Sequence, residues 1–228
     1  MVNLSATQTG AVRKSTAGLP PGLPSGHTFG DLIDMMGVVM PYARNSEIYG
    51  ENEPADYLYK VVTGAVRAYK ILADGRRQIG AFYLPGDVLG LEFSEEHAFS
   101  AEAITDAKIL VIKRSALVAL AQRDKEVARQ LWTMAGHELR RTQVHLLLLI
   151  KNARERVVAF LLEMARRAPG SNHVELPMSR QDIADYLGLA IETVSRTLTE
   201  LENAAAIELP SARQVVLCNR NALGRLNG

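Results

Sequence analysis

The sequence predicts an α+β fold: an N-terminal antiparallel β-roll, one long helix, then a C-terminal winged helix-turn-helix. Three observations predict it. Between residues 57 and 112, short β-rich runs alternate with turn signals and leave little room for helix. From Leu131 to Leu149, apolar residues recur at helical spacing in a stretch without proline. Residues 178–202, MSRQDIADYLGLAIETVSRTLTELE, read as two short helices joined at a glycine.

The chain's totals narrow the classes. Its 228 residues allow one large or two ordinary domains, and 47% apolar with 22% charged residues is a globular composition. No apolar run approaches the roughly 18 residues of a membrane span. The opening MVNLSAT lacks the charged and apolar regions of a signal peptide. The one cysteine, Cys218, excludes an intramolecular disulfide framework and fits a reducing cytoplasm. It cannot by itself hold a cysteine-ligated iron–sulfur cluster within one subunit. A net charge of +1 gives no overall pull toward nucleic acid, and residues 151–228 carry 10 Lys/Arg against 9 Asp/Glu. DNA binding therefore has to rest on where charges lie.

Taken in order, residues 1–28 hold GLPPGLP and scattered Ser/Thr without periodicity, and read as a mobile tail. Residues 29–116 make the β-roll domain. It opens on an amphipathic segment, 29–39, with Leu32, Ile33, Met36 and Val39 apolar, which reads as a short helix. Strand-like runs follow at 57–62, 65–72, 77–83, 88–91 and 107–112. Asp74-Gly75 is a hairpin turn between the second and third, and Pro85-Gly86-Asp87 marks the next turn. Residues 117–151 form the long helix. Leu131, Ala135, Leu139, Thr142, Leu146 and Leu149 recur at spacings of 4, 4, 3, 4 and 3, a near-heptad seam. A buried core helix is the plainer reading, but one β-roll cannot cover a helix of this length. The seam is therefore expected to pair with its twin in a homodimer.

The polar run KNARER, 151–156, is a candidate hinge. Residues 152–228 make the last domain. It holds a helix beginning at Val157, a short strand at 174–176, the two-helix block, and strands at 207–209 and 214–218 around a basic wing tip with Arg213. Cys218, in the last of these strands, reads as a small buried hydrophobe.

Within the block, Ser179 is an N-cap type, and Ile183, Ala184 and Leu187 line one side of the first helix. Gly188 can take positive φ and so make the turn. In the second helix Val194, Leu198 and Leu201 form the buried stripe, while Glu192, Ser195, Arg196 and Thr199 lie on another face. On an isolated helix, Glu192 and Arg196 would be read as a solvated ion pair. After a helix and a glycine turn, the same positions are where a helix-turn-helix places its base-reading residues. Arginine reaches guanine O6 and N7 together, and glutamate accepts from cytosine N4. Base reading is thus assigned to Glu192, Ser195 and Arg196, and DNA backbone contacts to Arg180, Gln181, Thr193, Thr199 and Arg213.

The order of β-roll, long helix and winged helix-turn-helix, with Gly64, Asp74-Gly75, Pro85-Gly86-Asp87 and the block from Arg180 to Arg196, resembles the CRP/FNR superfamily of bacterial transcription regulators. The resemblance spans roughly residues 30 to 225. Glu192, Ser195 and Arg196 match the E-x-x-S-R pattern of the FNR and FixK branches, and residues 178–189 and 192–196 look most like FixK. It implies a β-roll of the cyclic-nucleotide-binding type. It also implies a homodimeric activator of microaerobic and nitrogen-fixation genes that works with RNA polymerase at a TTGA-like palindrome in double-stranded DNA.

Departures from the superfamily bear on cofactors. Its oxygen sensors carry an N-terminal cysteine cluster, which this tail lacks. Its cyclic-AMP receptors grip the phosphate with an arginine, and Phe99 stands where that arginine is expected. A buried phosphate without a cationic partner costs several kcal/mol, so the expectation is DNA binding with no cofactor and no cyclic nucleotide. The five histidines, His27, His97, His137, His145 and His173, are scattered, which argues for structural or surface roles over haem or metal ligation. The competing expectation is a sensor whose β-roll holds an unrecognised small molecule. An enzyme is not expected, for no cluster of carboxylates and no Ser/Arg constellation stands out.

Overall fold

The structure, a computed structural model, describes residues 29–92, 94–167 and 172–226; the tail expected at 1–28 lies outside the described residues. After helix α1 (Phe29–Met36), strands β1 (Val38–Tyr42), β2 (Glu47–Tyr49), β3 (Tyr57–Thr63), β4 (Val66–Ile71), β5 (Arg77–Tyr83), β6 (Val88–Leu89), β7 (Ser100–Ala103) and β8 (Ala107–Lys113) build two facing sheets. Their orders are β1-β8-β3-β6 and β2-β7-β4-β5. Every pairing within them is antiparallel. Inward-facing Tyr49, Tyr59, Val61, Val66, Tyr83 and Ile109 meet between the sheets. The β4–β5 hairpin turns at Asp74-Gly75, where Gly75 has φ of +82° and the Asp74 carboxylate accepts from Arg76 N at 3.1 Å.

Local pattern and structure part in three places. The helix expected over 29–39 ends at Met36, because residues 38–42 pair with β8 as an edge strand. Such an edge accommodates Pro41, which has no N–H to donate. β2 has three residues and β7 reads Ser-Ala-Glu-Ala, so neither carries a strand signature; tertiary pairing makes them strands. The helix expected over 117–151 is two helices, α2 (Arg114–Ala121) and α3 (Lys125–Leu149). The Asp124 side chain divides them by accepting from Glu126 N at 2.8 Å and Val127 N at 3.3 Å.

Helix α3 lies against the β-roll on one side and is open on the other. Leu131 packs toward Leu117 and Val127, and Leu149 toward the interior. Trp132, Leu139, Leu146 and Ile150 stay 78, 60, 64 and 79% exposed. The open apolar stripe is therefore rotated about one position from the 131-135-149 side of the expected seam, which the β-roll claims. Leu139 and Leu146 belong to both. Thr142 is exposed and Ala135 half-buried.

The polar run after α3 is a capped helix start. Glu155 N donates to Asn152 Oδ1 at 3.0 Å and Asn152 N to Glu155 Oε2 at 3.2 Å, opening α4 (Ala153–Arg167). Then come β9 (His173–Glu175), α5 (Arg180–Leu187), α6 (Ile191–Asn203), β10 (Ile207–Ser211), β11 (Gln214–Leu217) and α7 (Arg220–Leu226). The three strands pair in the order β10-β11-β9 as the wing sheet. The two halves share one core: Ile79, Phe82 and Ile104 of the β-roll pack with Leu148 of α3 and with Phe160, Tyr186 and Leu187. The Phe82 and Tyr186 rings are 5.1 Å apart.

His145, on α3, has its ring 4.1 Å from that of Tyr186. Burial first, and then the charge of Arg141, push its pKa from 6.5 down to about 4. The folded protein therefore resists a proton that the unfolded chain accepts. Stability is full above pH 6.5 and falls as pH drops toward 4. Replacing His145 by Gln is expected to flatten that part of the curve of Tm against pH. Parallel curves for the two proteins would refute the assignment.

Candidate nucleic-acid interface

The two-helix block is set by its caps. Ser179 Oγ accepts from Asp182 N at 3.1 Å while the Asp182 carboxylate accepts from Ser179 N at 3.0 Å, a reciprocal capping box on α5. Gly188 ends α5 at φ +61°, a conformation costly for any residue with a Cβ, and its N–H bonds Ala184 O. Arg156 of α4 reaches over this turn, with Nη1 donating to Leu187 O at 2.9 Å and Nε to Lys151 O at 2.8 Å. A cation on the exposed carbonyls of a helix C-terminus is favourable, so the turn is held from outside the block.

Helix α6 buries Val194, Thr197, Leu198 and Leu201 and turns Glu192, Ser195, Arg196 and Thr199 outward. Among the described residues neither the Glu192 nor the Arg196 side chain makes a hydrogen bond or ion pair, although they are one turn apart. The solvated-pair reading thus has no contact behind it. Thr199 Oγ1 donates back to Ser195 O at 3.2 Å, and Thr193 is half-buried. Ala190, preceding α6, provides no side-chain cap, which leaves the first amides of the helix available to an anion. Gln181 is exposed, with Nε2 donating to Asp185 at 2.6 Å. Arg180 is half-buried, its Nη1 enclosed without a hydrogen-bond partner among the described residues, and burial lowers its pKa. Arg213 is exposed at the β10–β11 tip, with its carbonyl fixed by Leu176 N at 2.8 Å.

Cys218 departs from expectation. It lies just past β11, exposed, with its N–H on Ala206 O. Desolvation first, and then the Glu208 carboxylate, push its thiol pKa up, away from reactive thiolate. The strand ends one residue early, so the side chain never enters the wing core.

Three charged residues of the β-roll that sequence reading missed, Arg67, Arg77 and Glu102, form a cluster against α5. Arg77 donates from Nη2 to Asp182 at 2.6 Å and from Nε to Asp185 at 2.8 Å, and Arg67 Nη1 donates to Asp182 at 3.0 Å. Glu102 holds the other end of Arg67 at 2.8 Å. Burial raises the Asp182 pKa, but the Ser179 hydrogen bonds and the two arginine charges outweigh it and hold the carboxyl below its usual value. A second strut joins Arg167 Nη2 of α4 to Asp87 at 2.6 Å. More than 100 residues separate the partners across the first cluster, so no local pattern marks them.

Between the β-roll and α3 is a cavity of about 400 Å³, lined among others by Tyr49, Tyr83, Phe99 and Leu149. Among the described residues its charged lining is Glu92 and Glu138, with no arginine or lysine. The nearby Arg141 is occupied, stacked 4.3 Å over the Tyr83 ring and 3.2 Å from Glu138. The Phe99 ring reaches to within 3.0 Å of where a Cβ on Gly80 would sit. His97 is buried and stacked 3.7 Å from Tyr49. No group of three or more His, Cys, Asp or Glu among the described residues is arranged to hold a metal.

A model of the Crp-like helix-turn-helix domain matches residues 155–226, and one of the cyclic nucleotide-binding domain matches residues 39–124. The nitrogen fixation regulation protein FixK of Azorhizobium caulinodans is 52% identical over 202 residues, 86% of this chain and 82% of that protein. The chain belongs to the CRP/FNR family. FixK of Rhizobium meliloti is 42% identical over 190 residues, 83% of this CRP/FNR chain and 87% of its relative. The solved structure of FixK2 from Bradyrhizobium japonicum superimposes with a TM-score of 0.82 at 53% identity, over 84% of this chain and 98% of that one. This CRP/FNR member is a FixK-like transcription regulator with a helix-turn-helix DNA-binding domain. None of its described helices is long and apolar enough to cross a membrane.

Proposed function

We propose that the protein is a cytoplasmic, homodimeric activator that reads a TTGA-type palindrome without a cyclic nucleotide and works with RNA polymerase at microaerobic and nitrogen-fixation genes. The observation that carries it is the outward trio of Glu192, Ser195 and Arg196 on α6, with no side-chain ion pair between Glu192 and Arg196 among the described residues, in a FixK-like chain. Two such helices must enter successive major grooves about 34 Å apart, which a two-fold dimer provides. The open stripe through Leu139 and Leu146 supplies its interface. Selection of preferred duplexes from a random pool by the purified protein, with no ligand added, tests the reading. Enrichment of a palindrome with a G·C pair in each half supports it, and enrichment of nothing overturns it.

An anion in the cavity would face Glu92 and Glu138, with no arginine or lysine lining it among the described residues. Cyclic AMP and cyclic GMP are therefore expected to leave operator affinity unchanged. A gain of about tenfold, or 1.4 kcal/mol of coupling, would overturn that. The cavity itself favours a second reading, a sensor for an uncharged or cationic small molecule. Mass spectrometry of material released on denaturation separates the two.

A further inference from the structure

The shared apolar core through Phe82, Phe160 and Tyr186 already joins the β-roll to the winged helix. The charge cluster beside it is a poor source of extra stability. Asp182 and Arg67 have side chains only 4 and 10% exposed, and Arg67 Nε is enclosed without a partner among the described residues. Desolvating such a network costs about as much as its attraction returns. What it adds over apolar packing is direction. Two arginines on neighbouring strands converge on one carboxylate oxygen, Asp182 Oδ1, and that carboxylate also caps α5. Asp185, one turn along, takes Arg77 on one oxygen and Gln181 on the other. Sliding or rotation of α5 against β4 and β5 breaks several of these bonds at once, whereas apolar side chains tolerate small slips.

We infer that Arg67 and Arg77 are positioning residues for DNA reading. Acting through Asp182 and Asp185, they fix the angle at which each winged helix is carried and hence the half-site separation the dimer accepts. This rests on the palindrome reading proposed above. Helix α6 packs directly on α5, so a rotation of α5 against the β-roll carries the recognition helix with it.

The test uses the full chain and fluorescence anisotropy. The duplexes keep the selected half-sites and lengthen the spacer by one or two base pairs. Wild type is expected to lose about a hundredfold on the longest spacer, because both helices can no longer meet their grooves. Arg77→Gln and Arg67→Gln are expected to cut that penalty to about tenfold while keeping the G·C preference of the half-site. Arg77→Lys, which keeps the cation, is expected to retain most of it. Three outcomes overturn the inference: a folded Gln variant with the wild-type spacing penalty, equal weakening on every duplex including a single half-site, or loss of the fold, which would assign the cluster to stability. A wild type indifferent to spacing would instead defeat the palindrome reading, and the inference with it.

Discussion

Replacing Leu139 and Leu146 together by Asp is expected to yield a folded monomer that no longer holds a palindromic operator. Both side chains are already open to water within one protomer, so the substitution leaves the protomer's own core intact. Leu91, Leu117 and Val127 secure the inner side of α3 instead. In a dimer the two leucines recur on each partner, and full burial of each is worth about 1.5–3 kcal/mol. Four aspartates across the same seam replace that gain with repulsion and desolvation. A monomer then meets one half-site with one recognition helix and forfeits the second, a loss of several orders of magnitude when the two are joined. Sedimentation gives the mass, circular dichroism the fold, and anisotropy the affinity. Wild-type mass and affinity in this variant would refute the role given to the stripe.

Arg196→Ala is expected to cost about 1–3 kcal/mol on the cognate duplex and much less on random DNA. Arg196 is exposed, makes no ion pair among the described residues, and is not part of the α6 stripe that packs on the domain. Its removal should leave thermal stability unchanged. As a contrast, Arg213→Ala at the wing tip should weaken all duplexes alike and lower the salt slope by about one unit, the sign of a lost phosphate contact. Measuring both variants on a palindrome and on its G·C-to-A·T mutant separates the roles. Equal discrimination by wild type and Arg196→Ala would defeat the base-reading assignment.

Much of this site was legible because its signals are local. Ser179, Gly188 and the apolar triplet of α6 each act within one or two turns, and α5 runs over the residues that Ser179 and Gly188 predict. The strands around Asp74-Gly75 were legible for the same reason. Four kinds of feature were not. β2 and β7 exist through their partners, since three residues and an alanine-rich tetrapeptide have no strand preference to display. The rotation of the α3 stripe depends on which side the β-roll occupies, which a repeat of leucines and alanines cannot encode. The arginines under α5 read as ordinary charges in a β-hairpin until the second domain is placed on them. Cys218 followed from a strand boundary, and a shift of one residue put it in water.

The core that runs from Ile79 and Phe82 into Phe160 and Tyr186 has a consequence for how such chains diversify. The two halves match separate family models, as if they were exchangeable parts. Yet a winged helix transplanted onto another β-roll would arrive with Tyr186 and Leu187 seeking an apolar bed, and with Asp182 seeking two guanidinium groups. The new host would have to offer both at the same strand positions. Grafts between regulators of this shape should therefore succeed when the cut leaves β4, β5 and α5 on the same side, and exchange of the helix-turn-helix alone is the riskier operation.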